Sequence, residues 1–181
     1  DFITVTRSHT AEPTRDAGEI VARALTLLER TEAGRRPIRL LGAGVHAFCF
    51  SPYLEGQSPG AQVSAAQIRA RLEVIRPHTG WIRTFSCTDG HEQTPAIAKA
   101  MGMKTLVGAW LGTDAAINER EIAGAIAVAQ AGHADIVAVG NEVLLREDLS
   151  EDELIAQIER VKQALRDLPT AVPVGYVDAY Y

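Results

Sequence analysis

The chain contains 181 residues, of which 46% are hydrophobic and 23% charged, and its formal net charge is −5. This composition is typical of a globular protein with a sizeable core, and the longest apolar runs are far too short to span a bilayer. The negative charge disfavours a nucleic-acid-binding surface overall, although residues 1–46 hold seven arginines against six acids and are slightly basic.

The first 46 residues predict one strand–helix–strand unit. Residues 2–6 are a strand by their β-branched content, residues 13–34 a helix with apolar side chains at helical spacing, and residues 38–45 a second strand. A unit of this length is either a right-handed βαβ unit or part of an α+β sandwich.

From residue 47 onward, the sequence predicts strands and helices in alternation. Five strands are predicted, over residues 47–53, 81–86, 104–110, 135–143 and 172–177. Three of the four intervening helices have predicted N-terminal capping pairs: Ser64 with Gln67, Asn118 with Glu121, and Ser150 with Glu153. This alternation is typical of parallel βαβ units, and both a doubly wound sheet and an eightfold barrel fit it.

The predicted strand over residues 135–143 carries the strongest functional signal. Its apolar run, Ile136–Val139, is typical of a strand buried on both faces, and it changes abruptly to Gly140-Asn141-Glu142. A carboxylate at the carboxyl end of a strand is poorly placed for packing, and in α/β folds chemistry collects there. The alternative is that the Asn-Glu pair only caps the following helix.

Polar or aromatic residues also end the other predicted strands: Ser51–Tyr53, Arg83–Phe85, Trp110 and Tyr176–Tyr181. No G-x-G-x-x-G or G-x-x-x-x-G-K-[ST] motif follows any strand, which weakens the nucleotide-binding class. A sugar site needs aromatic platforms and hydrogen-bonding side chains around a carboxylate, and a barrel brings many strand ends to one mouth. We therefore predict an α/β fold, a partial (β/α)8 TIM barrel of about five βα units preceded by a βαβ segment.

We expect no metal ion and no other cofactor. The five histidines are scattered singly, and Cys49 and Cys87 lie in separate apolar segments without metal-ligand spacing. Both cysteines are predicted to be buried free thiols.

Five motifs together resemble glycoside hydrolase family 17, and most closely its bacterial branch acting on β-1,3-glucans and related cyclic glucans. They are Phe50-Ser51-Pro52-Tyr53 with Gly56-Gln57, Trp81-Ile82-Arg83-Thr84-Phe85, Val107-Gly108-Ala109-Trp110-Leu111, Asn118-Glu119-Arg120-Glu121, and Val139-Gly140-Asn141-Glu142. The resemblance covers residues 47–181, which we predict to be one domain, the N-terminal part of the hydrolase barrel.

The resemblance implies a (β/α)8 barrel that retains anomeric configuration with two glutamates. It assigns Glu142 as the general acid/base and Asn141 as the hydrogen-bond partner of the sugar 2-hydroxyl. The other residues assigned to substrate binding are Tyr53, Arg83, Phe85, Trp110 and Tyr176. For Arg83, a structural pairing with Glu142 or a neighbouring carboxylate is the alternative.

The chain departs from the family in one large respect. The family's nucleophile is a second glutamate at the end of the seventh strand, whereas this chain stops after the fifth predicted strand. Asp178 is the only strand-end acid nearby, and Glu147 and Asp148 are expected in a solvated loop. Because Glu142 has no identifiable second carboxylate, we expect that the chain does not turn over substrate. The chain begins at Asp1 without a methionine and ends directly after a strand-like run, so we expect a fragment, and its sequence leaves the parent's location open.

Residues 1–46 resemble a different family, in the segments 1–8, 14–17 and 36–42. They are similar to the C-terminal part of the little-finger domain of a Y-family DNA polymerase of the polymerase IV type. That domain binds the duplex backbone, so the alternative function is DNA contact through Arg7, Arg35, Arg36 or Arg39. Solvated arginines without a function are the other interpretation.

The two resemblances meet near Val45–Ala47 without a Pro-, Gly- or Ser-rich linker, which suggests a chimera, either engineered or read across a faulty junction. If such a chimera folds, we expect residues 38–50 to form one strand shared by both parts. A chimera without either activity is a third hypothesis, beside the glucan-active fragment and DNA contact. An open sheet would also have exposed edges, which predicts a homo-oligomer.

Overall fold

A computed structural model describes Ala22 and residues 47–178 of the chain. The chain divides into two compact units, residues 1–45 and residues 46–181. The predicted strands and helix of residues 2–45 lie outside the described residues, as does most of the predicted shared strand over residues 38–50. Tyr180 and Tyr181 lie outside them as well.

Residues 47–178 form one five-stranded parallel sheet. Its strands are β1 (Phe48–Cys49), β2 (Trp81–Arg83), β3 (Lys104–Ala109), β4 (Ile136–Asn141) and β5 (Val174–Val177). The spatial order of the strands follows the chain order. A doubly wound sheet reverses that order at a switch point, whereas a barrel does not. The strand order therefore favours the barrel between the two predicted architectures.

Four α-helices alternate with these strands: α1 (Ala65–Ile75), α2 (Thr94–Ala100), α3 (Ala115–Gln130) and α4 (Glu151–Leu165). A short 3-10 turn, His91–Gln93, precedes α2. Two of the predicted caps are confirmed. Ser64 accepts a hydrogen bond from the Gln67 amide at 3.2 Å, and Ser150 with Glu153 forms a complete capping box.

The predicted cap of the third helix is wrong. Helix α3 begins at Ala115, and the side chain of Asp114 accepts hydrogen bonds from the amides of Ala116 and Ile117 at 2.8 and 3.1 Å. Asn118 and Glu121 are buried within the helix and bind neighbouring loops. The side chain of Asp114 thus satisfies two of the amides that the first turn of the helix leaves without a partner.

The strands are shorter than the sequence predicts. After β1, the Phe50 amide still donates to the Arg83 carbonyl at 2.8 Å, but Pro52 has no amide hydrogen to continue the ladder. Strand β4 ends at Asn141 because Glu142 adopts a left-handed backbone with φ of 53°. The predicted burial of β4 is confirmed, since Val137 to Asn141 are all buried.

Two apolar clusters hold the helices against the sheet. The larger joins β3 and β4 to α3 and α4 and includes Val107, Val139, Ile122 and Val161. The smaller, which includes Ile68 and Ile82, joins β2 and Phe50, the residue after β1, to α1 and α2. Burying each of these aliphatic side chains contributes about 1.5–3 kcal/mol before the entropy cost of ordering it.

The two cysteines differ in their surroundings. Cys87 is buried as predicted, and burial raises the pKa of its thiol well above the usual value. The prediction for Cys49 is wrong, because this residue is exposed on the two-residue strand β1 at the edge of the described sheet. None of the described helices is long and apolar enough to cross a bilayer.

Candidate active site

The turn that follows β4 presents Glu142 at the carboxyl end of the sheet. Gly140 has φ of 84°, and a Cβ atom there would lie 2.7 Å from Val143 Cγ2, so glycine is required for both conformation and space. Glu142 itself has φ of 53°, and its amide donates to the Val177 carbonyl at 2.9 Å. A left-handed backbone costs a non-glycine residue about 1–2 kcal/mol, and such strain clusters at functional sites.

The carboxylate of Glu142 is half-buried. Within the part of the chain that the structure describes, it accepts no hydrogen bond and makes no ion pair. It does not cap the next helix either, because Ser150 does so. The carboxylate therefore remains available to a bound molecule.

Asn141 lies directly before Glu142 and is 8% exposed. Its Oδ1 accepts a hydrogen bond from Arg83 Nη2, which reaches across β3 from the end of β2. The Arg83 guanidinium also lies over the Phe85 ring, 4.8 Å from its centroid. Among the described residues Arg83 forms no ion pair with Glu142, so it orients Asn141 instead. Because Arg83 occupies this oxygen, the other polar side-chain groups of Asn141 are its two amide N–H donors.

Trp110 follows β3 and is 40% exposed. Its amide donates to Glu121 Oε2 at 3.1 Å, and the guanidinium of Arg146 lies 4.6 Å from the centroid of its ring. Arg146 belongs to the turn after β4, so this contact joins two neighbouring strand ends. An exposed indole ring at such a position can serve as a platform for a sugar ring.

Glu121 is a functional-site residue that the sequence interpretation missed, having placed it in a helix cap. It is 2% exposed and accepts hydrogen bonds from Ser86 Oγ (2.5 Å), the Cys87 amide (2.7 Å), Thr88 Oγ1 (2.7 Å) and the Trp110 amide. It therefore ties the segments after β2 and β3 to helix α3.

Gly124 makes this arrangement of Glu121 possible. A Cβ atom at position 124 would lie 2.5 Å from the Cys87 carbonyl oxygen, so only glycine lets α3 approach the segment after β2 this closely. The signal in the sequence is an acid on the buried stripe of α3, where Ile122, Ala125, Val128 and Ala129 are apolar and Asn118 is the other polar residue.

Tyr53 and His91 form a pair on the segments that follow β1 and β2. The Tyr53 hydroxyl lies 3.1 Å from His91 Nε2, and the rings pack edge-to-face with centroids 5.1 Å apart. Burial lowers the pKa of His91, although Glu121, Asp89 and Glu92 act in the opposite direction. Burial also raises the pKa of Tyr53, with smaller contributions from Asp89 and Glu121. Two neutral rings therefore share this hydrogen bond at neutral pH.

Tyr176, on β5, supports the turn after β4 from below. Its hydroxyl donates to Asp178 Oδ2 at 2.5 Å and accepts from the Leu144 amide at 3.1 Å. Burial, followed by the hydrogen bond to Asp178, raises the pKa of this phenol. Its ring packs against the larger core cluster. The structure thus places Tyr176 under the loop that carries Glu142.

The other acids near the strand ends are engaged. Asp178 accepts from Tyr176, and Asp148 pairs with Arg146 Nε at 2.7 Å. Asp148 lies in the predicted loop with its side chain 21% exposed. Glu147, in contrast, is exposed. Within residues 47–178, no group of three or more His, Cys, Asp or Glu side chains is arranged to hold a metal ion.

Two family models match the chain. Residues 47–181 match the BtgE/BtgC glycoside hydrolase domain, and residues 1–62 match the impB/mucB/samB family C-terminal domain. The two matches overlap over residues 47–62. The predicted resemblances to a glycoside hydrolase and, in the first residues, to a polymerase are confirmed.

Curated relatives match the same two parts. A glucan 1,3-beta-glucosidase of Schizosaccharomyces pombe is 32% identical over 118 residues, which cover 61% of this chain and 37% of that protein. A DNA polymerase IV of Alkalilimnicola ehrlichii is 53% identical over 45 residues, 25% of this chain and 13% of the polymerase. The chain thus spans well under half of either relative.

Solved structures of the β-1,3-glucanosyltransferase of Rhizomucor miehei share the fold. An active-site mutant in complex with laminaritriose has a TM-score of 0.59 at 20% identity, covering 73% of this chain and 49% of that one. A second structure, described as glycoside hydrolase family 17, has a TM-score of 0.60 at 21% identity and covers 75% and 50%. The predicted α/β barrel fold is confirmed at this coarse level. Since the hydrolase model matches residues 47–181, most of its length, the chain belongs to the BtgE/BtgC glycoside hydrolase domain family.

Proposed function

We propose that residues 47–178 form the part of a retaining β-1,3-glucan hydrolase or transglycosylase that carries its general acid/base, Glu142. One observation carries this proposal. Glu142 stands in a strained conformation at the end of β4, and its carboxylate has no partner among the described residues. Arg83 holds the preceding Asn141 through its side-chain oxygen, and in this proposal the amide N–H groups of Asn141 donate to a sugar hydroxyl.

The sugar subsites in this proposal use the aromatic side chains beside Glu142. Trp110 is exposed enough to stack on a sugar ring, while Tyr53 and Phe85 lie half-buried on neighbouring segments. Tyr176 contributes by supporting the Glu142 turn. The laminaritriose bound by the Rhizomucor miehei enzyme supports a β-1,3-linked glucan as the substrate class.

The chemistry requires a second carboxylate. In a retaining mechanism the acid protonates the leaving oxygen, and a nucleophile about 5–5.5 Å away attacks the anomeric carbon. Among residues 47–178, the nearby acids Glu121, Asp148 and Asp178 already accept hydrogen bonds from other side chains. None of them suits the nucleophile's role. The proposal therefore predicts glucan binding without turnover.

Isothermal titration of laminaritriose into the chain, run beside a turnover assay, tests this proposal. We expect heat of binding and no product, retained binding in Glu142→Gln, and loss of binding in Trp110→Ala. Glu159→Gln is the matched control, because this glutamate lies on the surface of α4 and pairs with Lys162. Absence of binding would overturn the proposal. If the chain turns over laminaritriose and Glu142→Gln does not, a nucleophile is present. That result would refute the predicted lack of turnover and leave the role of Glu142 intact.

DNA contact through residues 1–46 is a second candidate function, favoured by the polymerase IV match over 45 residues. We expect affinity for duplex DNA that falls steeply with salt, because backbone contacts release counterions. The double substitution Arg35→Ala and Arg36→Ala should weaken it. The same changes at the exposed Arg69 and Arg71 of α1 are the control. Equal affinity in both double variants would refute this function.

A further inference from the structure

Arg146 lies at the centre of the turn that follows β4, and neither the sequence motifs nor the proposed reaction assigns it a role. We propose that Arg146 is a positioning residue that fixes the ring of Trp110 and the peptide preceding Glu142 in one arrangement. The purpose of this arrangement, binding of a β-1,3-glucan, rests on the proposed function, whereas the ordering of Trp110 by Arg146 does not.

The first support is that each of the three nitrogens of the Arg146 guanidinium donates to a different group. Nη1 donates to the carbonyl of Asn141, Nη2 donates to the carbonyl of Leu111 at 2.8 Å, and Nε pairs with Asp148 at 2.7 Å. The Asn141 carbonyl belongs to the last residue of β4, and the Leu111 carbonyl lies two residues after the end of β3. Arg146 therefore clamps two neighbouring strand ends, and the carbonyl on β4 is part of the peptide bond to Glu142.

The second support is the contact between Arg146 and Trp110. The guanidinium carbon lies 4.6 Å from the centre of the indole ring, a distance typical of a cation–π interaction. The ring remains 40% exposed, so one face is covered by the cation while other ring surface stays open to solvent. Glu121 holds the Trp110 backbone through its amide, and Arg146 holds its ring. The platform is thereby fixed at both ends.

The charges indicate positioning and argue against a direct electrostatic effect on the acid/base. Asp148 neutralises the Arg146 guanidinium, and the two side chains are 28% and 21% exposed. The property specific to arginine is its planar guanidinium, which donates to two carbonyls and a carboxylate while it contacts the face of an aromatic ring. A lysine would keep the charge but lose this geometry.

The expected benefit is preorganisation. A ring and a peptide that are already ordered lose less conformational entropy when a sugar binds. Loss of the clamp should therefore weaken laminaritriose binding by about tenfold, the equivalent of about 1.4 kcal/mol.

The test uses the fluorescence of Trp110. The chain has two tryptophans, so Trp81→Phe leaves Trp110 as the single reporter. In this background we would compare Arg146→Met and Arg146→Lys with Arg160→Met. Arg160 is the matched control because its guanidinium forms a two-pronged salt bridge with Glu119 on the outer surface of the helices.

Without ligand, both Arg146 variants should show lower steady-state anisotropy and stronger acrylamide quenching, by up to about twofold, since the ring opens on its second face. With laminaritriose, both should bind about tenfold more weakly than the parent. Arg160→Met should match the parent in both measurements. If Arg146→Met does not fold, as judged by circular dichroism, Arg146→Lys still gives both readouts.

The two outcomes that overturn the clamp are distinct from failure of the proposed function. Unchanged anisotropy and quenching in the Arg146 variants would refute the positioning role. Restoration of parental behaviour by Arg146→Lys would refute the requirement for the planar fork. If the parent itself does not bind laminaritriose, the proposed function fails, while the ligand-free fluorescence still decides whether Arg146 orders Trp110.

Discussion

Glu121 on helix α3 and Glu142 after strand β4 are the same residue type, yet their surroundings differ completely. Four donors surround the Glu121 carboxylate, which is almost completely buried, whereas that of Glu142 accepts nothing from the described residues. A carboxylate that is saturated with donors is held in place and serves as a support. An unengaged carboxylate can exchange a proton with a ligand, so environment distinguishes the two.

We predict that Glu121→Gln destabilises the protein by about 2–4 kcal/mol, because the amide offers one acceptor oxygen to four donors and strands the rest in the interior. Urea unfolding followed by circular dichroism measures the change. Glu119→Gln, two residues earlier on the exposed face of α3, is the control and should unfold like the parent. Similar midpoints for the two variants would contradict the supporting role of Glu121.

The pH dependence of stability should contain a contribution from His91. Burial lowers its folded-state pKa below the unfolded value of 6.5, so the unfolded chain binds the proton more readily. The stabilising contribution of neutral His91 is therefore complete above pH 6.5 and is lost as the pH falls below it. The unfolding free energy of the parent should drop more between pH 7 and pH 5 than that of His91→Asn. The exposed His78→Asn should follow the parent, and parallel curves for all three proteins would refute the prediction.

Which site residues the sequence reveals depends on whether their signal is local. Asn141 and Glu142 are visible because a buried apolar run stops at them. Glu121 leaves a weaker local signal, a charge on an apolar stripe. The roles of Arg146 and His91 are set by Trp110 and Tyr53, which are 36 and 38 positions away in the chain. No pattern within a single helix or strand encodes such pairs.

At the scale of elements, periodicity identified all five strands and four helices of residues 47–178, while their ends were decided by single residues. Pro52 stops the first strand, and the backbone of Glu142 stops the fourth. The cap of α3 was misplaced because the motif Asn118 to Glu121 imitates a capping pair. Only the positions of neighbouring loops show that these two side chains point inward instead.

Capping of α3 can be tested at Asp114. We predict that Asp114→Ala lowers the unfolding free energy by about 1 kcal/mol, since two amides of the first turn lose their acceptor. Asp114→Asn should retain most of the unfolding free energy of the parent, because its side-chain oxygen can still accept from these amides. Thermal and urea unfolding of both variants give the comparison. An equally large loss in Asp114→Asn would show that charge, rather than capping, is responsible.

At the scale of the whole molecule, the described sheet has two edges, β1 and β5, each paired on one side within residues 47–178. Unpaired strand edges favour association with other chains. These edges are the reason to expect a homo-oligomer, which stays a prediction. The prediction concerns the described residues only, where the sheet runs from β1 to β5 and these two strands do not pair to close a barrel.

We predict self-association that strengthens with concentration and weakens in Cys49→Lys, since a charged side chain on β1 blunts that edge. Light scattering after size-exclusion chromatography, in reductant, measures it. Val74→Lys places the same charge on α1, where Val74 is 66% exposed, and should leave association unchanged. A monomer at all concentrations would contradict the prediction.

The bond from Arg83 to Asn141 joins residues 58 positions apart and skips over an intervening strand. It cannot form until three successive βα units have docked in register, and contacts of such long sequence separation are slow to form. We therefore expect the orientation of Asn141 to appear late during folding. A chain captured with β2 to β4 only loosely docked would keep its secondary structure and lose the fixed orientation of Asn141. In the proposed function, binding of a sugar would then report that folding is complete.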